Sequence, residues 1–424
     1  MLNRCITPVR YLVLLLAYGI VGFFLLILVY CLPTERIYQN VKASFPQLQQ
    51  ETTYFSAFGT HLRGSQQDNY TDALYLSEAL IGSQLDSAWR EALLSHVYAG
   101  NGKPLVGLEE QLDGENLSSP DERKRFWGGW LVPLKTALEF MGYSQIRYFN
   151  FMAQSILLFL VIMAMGKRHL QNYTLPLFLA CLFLNPVTVA LTMAFSGYYY
   201  EILLALLVML SGNESLQAKG WYGYFFAILG MTAFYFNMNY FQLCTLGFPL
   251  VFYFLLNRET SERHLLGKVL KYGALWLFGF AGMMLLKWSI YALLIDANIF
   301  REMLTTASAR MGTSTNAEEI SRIRTVARNV KEGFANPCFL LAEGAFLCYT
   351  FRQLWQQGVR KTKAFRAEIL LVLLAFVAVT GRYFLEAAHS YVHFWIMYRN
   401  FAIVILALNI FLVRLTEKHS EGEA

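Results

Sequence analysis

Two aspartates four residues apart, Asp68 and Asp72, stand in the stretch Asp68-Asn69-Tyr70-Thr71-Asp72. A carboxylate held just above a bilayer and roofed by aromatic side chains can act as a base toward a hydroxyl acceptor. The same residues have plainer readings: Asp72 suits the N-cap or first turn of a following helix, and Asp68 suits a turn. A second set of candidates lies near the C-terminus, where Arg382, Glu386, His389, His393 and Arg399 fall close together. If 386–393 is helical, Glu386, His389 and His393 share a face at i, i+3 and i+7, a spacing that can hold a divalent metal. The alternatives are polar groups satisfying one another, or a polyanion site in which Arg382, Arg399, Lys287 and the two histidines neutralise a phosphate. Lys287 and Glu201 are ionisable residues inside apolar runs, where a charge is costly and so points to function.

The elements that must position these residues are membrane helices. Of 424 residues, 56% are hydrophobic and only 15% are charged, against about 25% charged in a soluble domain. Apolar runs of roughly 20 residues can cross a hydrocarbon core of about 30 Å, and inside it the backbone must satisfy itself as helix. The first run spans Tyr11–Leu32, without a cleavage site after it. Further spans are expected at 148–166, 174–190, 197–211, 221–238, 240–256, 272–295, 336–351, 367–384 and 393–414, about ten in all. The fold class is therefore all-α, a polytopic transmembrane bundle. Its divisions are a first transmembrane helix at 1–32, a long loop at 33–147, helices at 148–295, a second loop at 296–335, three more helices at 336–414 and a tail at 415–424.

Lys167, Arg168, Lys219, Arg258, Arg263, Lys268, Lys271, Arg352, Arg360, Lys361, Lys363, Arg366, Arg414 and Lys418 all fall on the N-terminal side of the spans. That asymmetry puts both termini in the cytoplasm and both loops outside. It also accounts for the net charge of +6 without a nucleic-acid partner. Six cysteines, in or beside apolar runs, match neither a zinc motif nor a disulfide framework.

The first loop reads as short amphipathic helices at Glu35–Gln50, Thr71–Ile81 and Arg123–Met141. The last carries Phe126, Trp127 and Trp130 behind Arg123, Lys124 and Arg125, a pattern that lies in a membrane interface. The second loop brings Arg301, Arg310, Arg322, Arg324, Arg328 and Lys331. Its middle, with Ser308, Gly312, Ser314 and Thr315, reads as flexible. Segment 317–332 is either a solvated amphipathic helix or part of a loop that closes over substrate. Asn237 and Asn239 are expected to cap helix ends.

Several stretches resemble bacterial polytopic proteins related to the GT-C glycosyltransferases. They are Asp68-Asn69-Tyr70-Thr71-Asp72, Phe126-Trp127-Gly128-Gly129-Trp130-Leu131-Val132, Tyr143-Ser144-Gln145-Ile146-Arg147-Tyr148-Phe149-Asn150, Thr245-Leu246-Gly247-Phe248-Pro249, Lys287-Trp288, and His389-Ser390-Tyr391-Val392-His393-Phe394-Trp395 with Arg399. The resemblance implies a bacterial inner-membrane enzyme that moves a sugar from a polyprenyl-phosphate donor to an extracytoplasmic glycan or lipid acceptor, among membrane lipids. It implies Asp68 or Asp72 as base, with Arg399, Lys287 or a histidine on the departing phosphate. The chain departs from the group at Gly128, where a histidine is expected, and at Asn237–Asn239, where an acid is expected. Two other functions stay in view: a transporter or flippase for a lipid-linked saccharide, which uses the same cationic cluster without a base, and, from those departures, a non-catalytic assembly partner.

Overall fold

The computed structural model describes residues 2–56, 59, 62–114, 117, 119–257, 261–315, 318–358 and 365–417, with side chains from Pro8 onward except Gln357. Arg258, Arg360, Lys361, Lys363, Lys418 and the rest of the tail lie outside the described residues. The fold is an all-α bundle. Two short strands, His96–Val97 and Asp121–Glu122, pair antiparallel within the first loop.

Among the described residues, six helices are long and apolar enough to cross a membrane: Pro8–Tyr30, Tyr143–Lys167, Met193–Ala218, Glu262–Leu294, Phe365–Leu385 and Phe394–Thr416. A seventh crossing arises if Arg322–Gly333 and Pro337–Gln356, bent by 82°, count as one broken span. The expected number of about ten is thus corrected to six or seven, and the reasons are local. The run over 174–190 breaks at Asn185, which adopts a left-handed conformation (φ 60°) and N-caps a new helix at Pro186. That leaves helices of ten and six residues. Tyr222–Phe236 and Leu243–Asn257 are apolar but have only 15 residues each, which is about 22 Å at 1.5 Å per residue. Both pack inside the bundle, where neighbouring helices cover them.

Small residues let two of these helices touch. A Cβ on Gly230 would lie 1.9 Å from the Trp276 carbonyl oxygen, and one on Gly279 would lie 2.0 Å from that of Ala227. Backbone therefore meets backbone where Tyr222–Phe236 crosses Glu262–Leu294, the small-residue packing typical of membrane helices. Away from the first loop, basic connectors make ion pairs: Arg168 with Glu214, and Arg414 with Glu368.

The first loop forms helices Glu35–Glu51, Asn69–Ala79, Leu85–Leu94, Pro104–Asp113 and Leu131–Leu138. The first two agree closely with expectation. The third expected helix does not: only Leu131–Leu138 is helical within Arg123–Met141. Phe126, Trp127 and Trp130 are buried rather than interfacial. Trp127 donates to the Met283 carbonyl at 2.8 Å, and Trp130 stacks on Tyr75 at 4.6 Å. Gly128 turns the chain with φ 80° between these two tryptophans. The loop thus shares one apolar core with the bundle. The second loop contains helices Ile299–Met311 and Arg322–Gly333, so Ser308 is helical.

Gly279→Val forces the two helices apart, and overpacking of this kind costs about 1–3 kcal/mol. The thermal midpoint of the purified protein in detergent is expected to fall by several degrees. An unchanged midpoint contradicts the close backbone contact.

Candidate anion-binding site

Helix Asn69–Ala79 begins beside the site because Asp68 caps it. Asp68 accepts from the Thr71 amide at 3.1 Å and from the Thr71 hydroxyl at 2.7 Å, which satisfies an otherwise orphaned donor of the first turn. Burial pushes the Asp68 carboxyl up, while the Thr71 and Tyr240 hydrogen bonds oppose that shift. Thr71 and Tyr240 also line a cavity of about 310 Å³. The Tyr240 hydroxyl lies 3.5 Å from Asp68 Oδ2. Asp68, only 3% exposed, therefore stands directly behind the cavity wall.

The other walls come from four parts of the chain. Arg123 and Arg125 lead out of the strand Asp121–Glu122, and Arg310 comes from helix Ile299–Met311. Asn239 follows helix Tyr222–Phe236, and His389 and His393 belong to the short helix Ala387–Val392 and its C-cap. Arg123 stacks over Tyr75 and Trp130 at 5.3 and 5.2 Å and lies 3.8 Å from buried Glu78. Arg125 and Arg310 have no carboxylate within ion-pair distance among the described residues. Burial, then Arg310 and Arg123, pull Arg125 down to about 10. Burial is also the largest influence lowering Arg310. Asp121 is the single carboxylate lining the cavity among the described residues. Three guanidiniums that repel one another in a half-enclosed space create a positive potential that an anion relieves.

The histidines sit in this field as neutral rings 4.7 Å apart. His389 Nε2 is 3.2 Å from the Asn239 carbonyl. Burial and Arg310 hold His393 down at about 4; His389 is also held well below the ordinary histidine value, by burial first and then by His393 and the two arginines Arg310 and Arg382. Glu386 does not join them on a helical face. It is the N-cap of Ala387–Val392, with φ −91° and ψ 53°, and pairs with Arg382 at 3.4 Å. Among the described residues, no three His, Cys, Asp or Glu side chains gather as metal ligands.

The remaining candidates are placed elsewhere. Asp72 is fully buried and accepts from the amides of Met193 and Ala194 at 3.2 and 3.1 Å, and from the Tyr143 hydroxyl. It pins the N-terminus of helix Met193–Ala218, where a carboxylate is favoured. Burial raises it to about 7 against the pull of Arg147. Lys287 donates to the carbonyls of Ala92 and Leu93 at 2.8 and 2.9 Å, capping the C-terminus of helix Leu85–Leu94. Arg399 donates to the carbonyls of Leu184, Trp395 and Gly64 at 2.9, 3.0 and 2.8 Å. Arg382 stands behind the cavity wall, bonded to the Asn239 carbonyl and to Asn400. Glu201 accepts from Asn237 at 3.2 Å and is enclosed in the bundle. The structure thus brings His389 and His393 into one cavity, sets Asp68 and Arg382 behind its wall, and leaves Asp72, Lys287, Arg399 and Glu201 elsewhere.

Arg123, Arg125 and Arg310 line the cavity, in the place expected for Lys287 and Arg399. A signal was present in the sequence: Arg123-Lys124-Arg125 directly precedes three large aromatics that prove to be buried. Cations next to a buried aromatic cluster are held near the protein interior, away from the bilayer surface. No family model matches this chain, and neither a curated protein nor a solved structure matches it.

Keeping His393 neutral links stability to pH. Its folded value of about 4 lies below the ordinary 6.5, so the unfolded chain takes up the proton first on acidification. The contribution is whole above pH 6.5 and is lost as pH falls toward 4, amounting to roughly 1–2 kcal/mol at pH 5. Asp72, raised to about 7, acts in the opposite sense, so the comparison must be between variants. His393→Gln is expected to gain stability relative to the parent between pH 7 and pH 5, measured by thermal unfolding in detergent. A difference that does not vary with pH contradicts the placement of a neutral histidine among these arginines.

Proposed function

We propose that this chain is a membrane glycosyltransferase that takes a sugar from a polyprenyl-phosphate donor, with the donor phosphate seated in the cationic cavity. The observation that carries this reading is the pair of unpaired guanidiniums, Arg125 and Arg310, in a cavity whose wall is backed by the buried carboxyl of Asp68. In this scheme an acceptor hydroxyl oxygen forms a bond to the anomeric carbon. The bond from that carbon to the phosphate oxygen breaks, and its electron pair leaves with the phosphate. Arg123, Arg125 and Arg310 take up the developing charge. The acceptor proton passes through the Tyr240 hydroxyl to Asp68, whose raised affinity for protons suits it to receive one. A GT-C-like arrangement, an extracytoplasmic loop face and a bacterial inner membrane belong to the same proposal. They rest on the quoted motifs and on the basic connectors away from the loop.

A second reading, a transporter for a lipid-linked saccharide, uses the same anion site and needs no base. The near-complete enclosure of Asp68 favours it.

Purified protein in lipid nanodiscs, given a polyprenyl-phosphate hexose and a neutral oligosaccharide acceptor, separates the two. Release of polyprenyl phosphate is expected, with Asp68→Asn lowering kcat by about 10²–10⁴-fold, the usual contribution of a general base. Arg310→Gln is expected to raise KM for the donor. Donor binding without any release in the discs, together with movement of the labelled lipid across sealed proteoliposomes, overturns the transferase in favour of the transporter.

A further inference from the structure

A second cavity, of about 430 Å³, opens on the other side of Tyr70. Phe45 and Gln49 supply one wall from helix Glu35–Glu51, and Thr52 and Thr53 continue it. Gly102 and Lys103 form the opposite wall, together with Pro104, Leu105, Val106 and Glu109 from helix Pro104–Asp113. Tyr70 lines both cavities. The two spaces therefore meet at the first turn of helix Asn69–Ala79, next to its cap, Asp68.

The chemistry of this second cavity differs from that of the first. Its two charges, Lys103 and Glu109, are of opposite sign, and Glu109 is joined to Gln49 at 2.7 Å. Beside them are an amide, two threonine hydroxyls and the ring of Tyr70, which lies parallel to that of Tyr54 with an interplanar angle of 8°. Val106 is 41% exposed, so part of the surface at this opening is apolar. The loop carrying Gly102 is shaped for open access: Gly102 has φ 86°, and nothing lies within 4 Å of where its Cβ would be. Flat aromatic surface, uncharged donors and acceptors, and a volume within the usual range for small-molecule clefts fit a neutral polyhydroxylated ligand. A phosphate, by contrast, finds a single lysine among the described residues that line it.

We infer that this second cavity binds a neutral saccharide, and that it is the acceptor subsite of the transferase proposed above, on which that last assignment rests. Tyr70 then separates a sugar-binding space from a phosphate-binding space. An acceptor hydroxyl passing that ring arrives beside Thr71 and Tyr240, the two residues that contact Asp68.

The test uses full-length protein in nanodiscs and ligand-observed saturation-transfer NMR with cellotetraose, chitotetraose and maltotetraose, each alone and with inorganic pyrophosphate. Saturation transfer to at least one oligosaccharide is expected, and it persists when pyrophosphate is present. Val106→Trp, a change at an exposed position that fills the opening, is expected to cut that signal at least fivefold. Arg310→Gln is expected to leave it unchanged while weakening pyrophosphate binding. Absence of transfer to all three sugars, or an unchanged signal in Val106→Trp, overturns the subsite. Loss of the sugar signal on adding pyrophosphate overturns it too, since the sugar then occupies the cationic cavity. Sugar binding that passes these checks in a protein that never releases polyprenyl phosphate keeps the saccharide site and removes the transferase. The two failures are thus read separately.

Discussion

A cation taken out of water must be given oxygen atoms, and the packing of the loop onto the bundle depends on how this is done. Lys287 is buried within a membrane helix and is satisfied by the two carbonyls that end helix Leu85–Leu94. Arg399 is buried and satisfied by three carbonyls, one of them Gly64 in the first loop. Lys135 reaches the Ile81 carbonyl at 2.8 Å. Each bond answers two needs at once, since helix-terminal carbonyls lack partners just as buried cations do. Removing one member leaves the other unsatisfied, which is why such pairs hold elements in place more than they add net stability.

The same principle separates cations that build the fold from cations free to meet a ligand. Arg125 and Arg310 face a shared cavity, and among the described residues no carbonyl or carboxylate is bonded to either guanidinium; burial and Arg310 favour the neutral form of His393 beside them. In the proposed function, an anion supplies what the protein withholds. Carboxylates divide in the same way. Asp72 is consumed by the N-terminus of helix Met193–Ala218, whereas Asp68 caps a helix whose next residues line the cavity.

The all-α bundle, with helices long and apolar enough to cross a membrane, was legible in the sequence because long apolar runs have few structural solutions. The number of crossings was not. Asn185-Pro186 breaks the apolar run over 174–190 into two short helices, and a helix of 15 residues is as apolar as a full span. Asp68 and the histidine pair were identified from residue type and position. Lys287 and Arg399 were singled out correctly as costly charges, but sequence does not show whether a carbonyl lies within reach of a lysine. Arg123 and Arg125 were assigned to a membrane interface because an amphipathic aromatic pattern looks the same whether its apolar face meets lipid or protein. In this chain it meets Tyr75 and Met283.

The division of cations into structural and ligand-binding groups is tested most directly by determining the structure, by cryo-electron microscopy in nanodiscs, with pyrophosphate bound. The account predicts density between Arg123, Arg125 and Arg310, within hydrogen-bonding reach of the His389–His393 edge, with the Lys287 and Arg399 carbonyl contacts unchanged. Pyrophosphate on Lys287 or Arg399, with those carbonyl bonds broken, would contradict it, as would an empty cavity at saturating pyrophosphate.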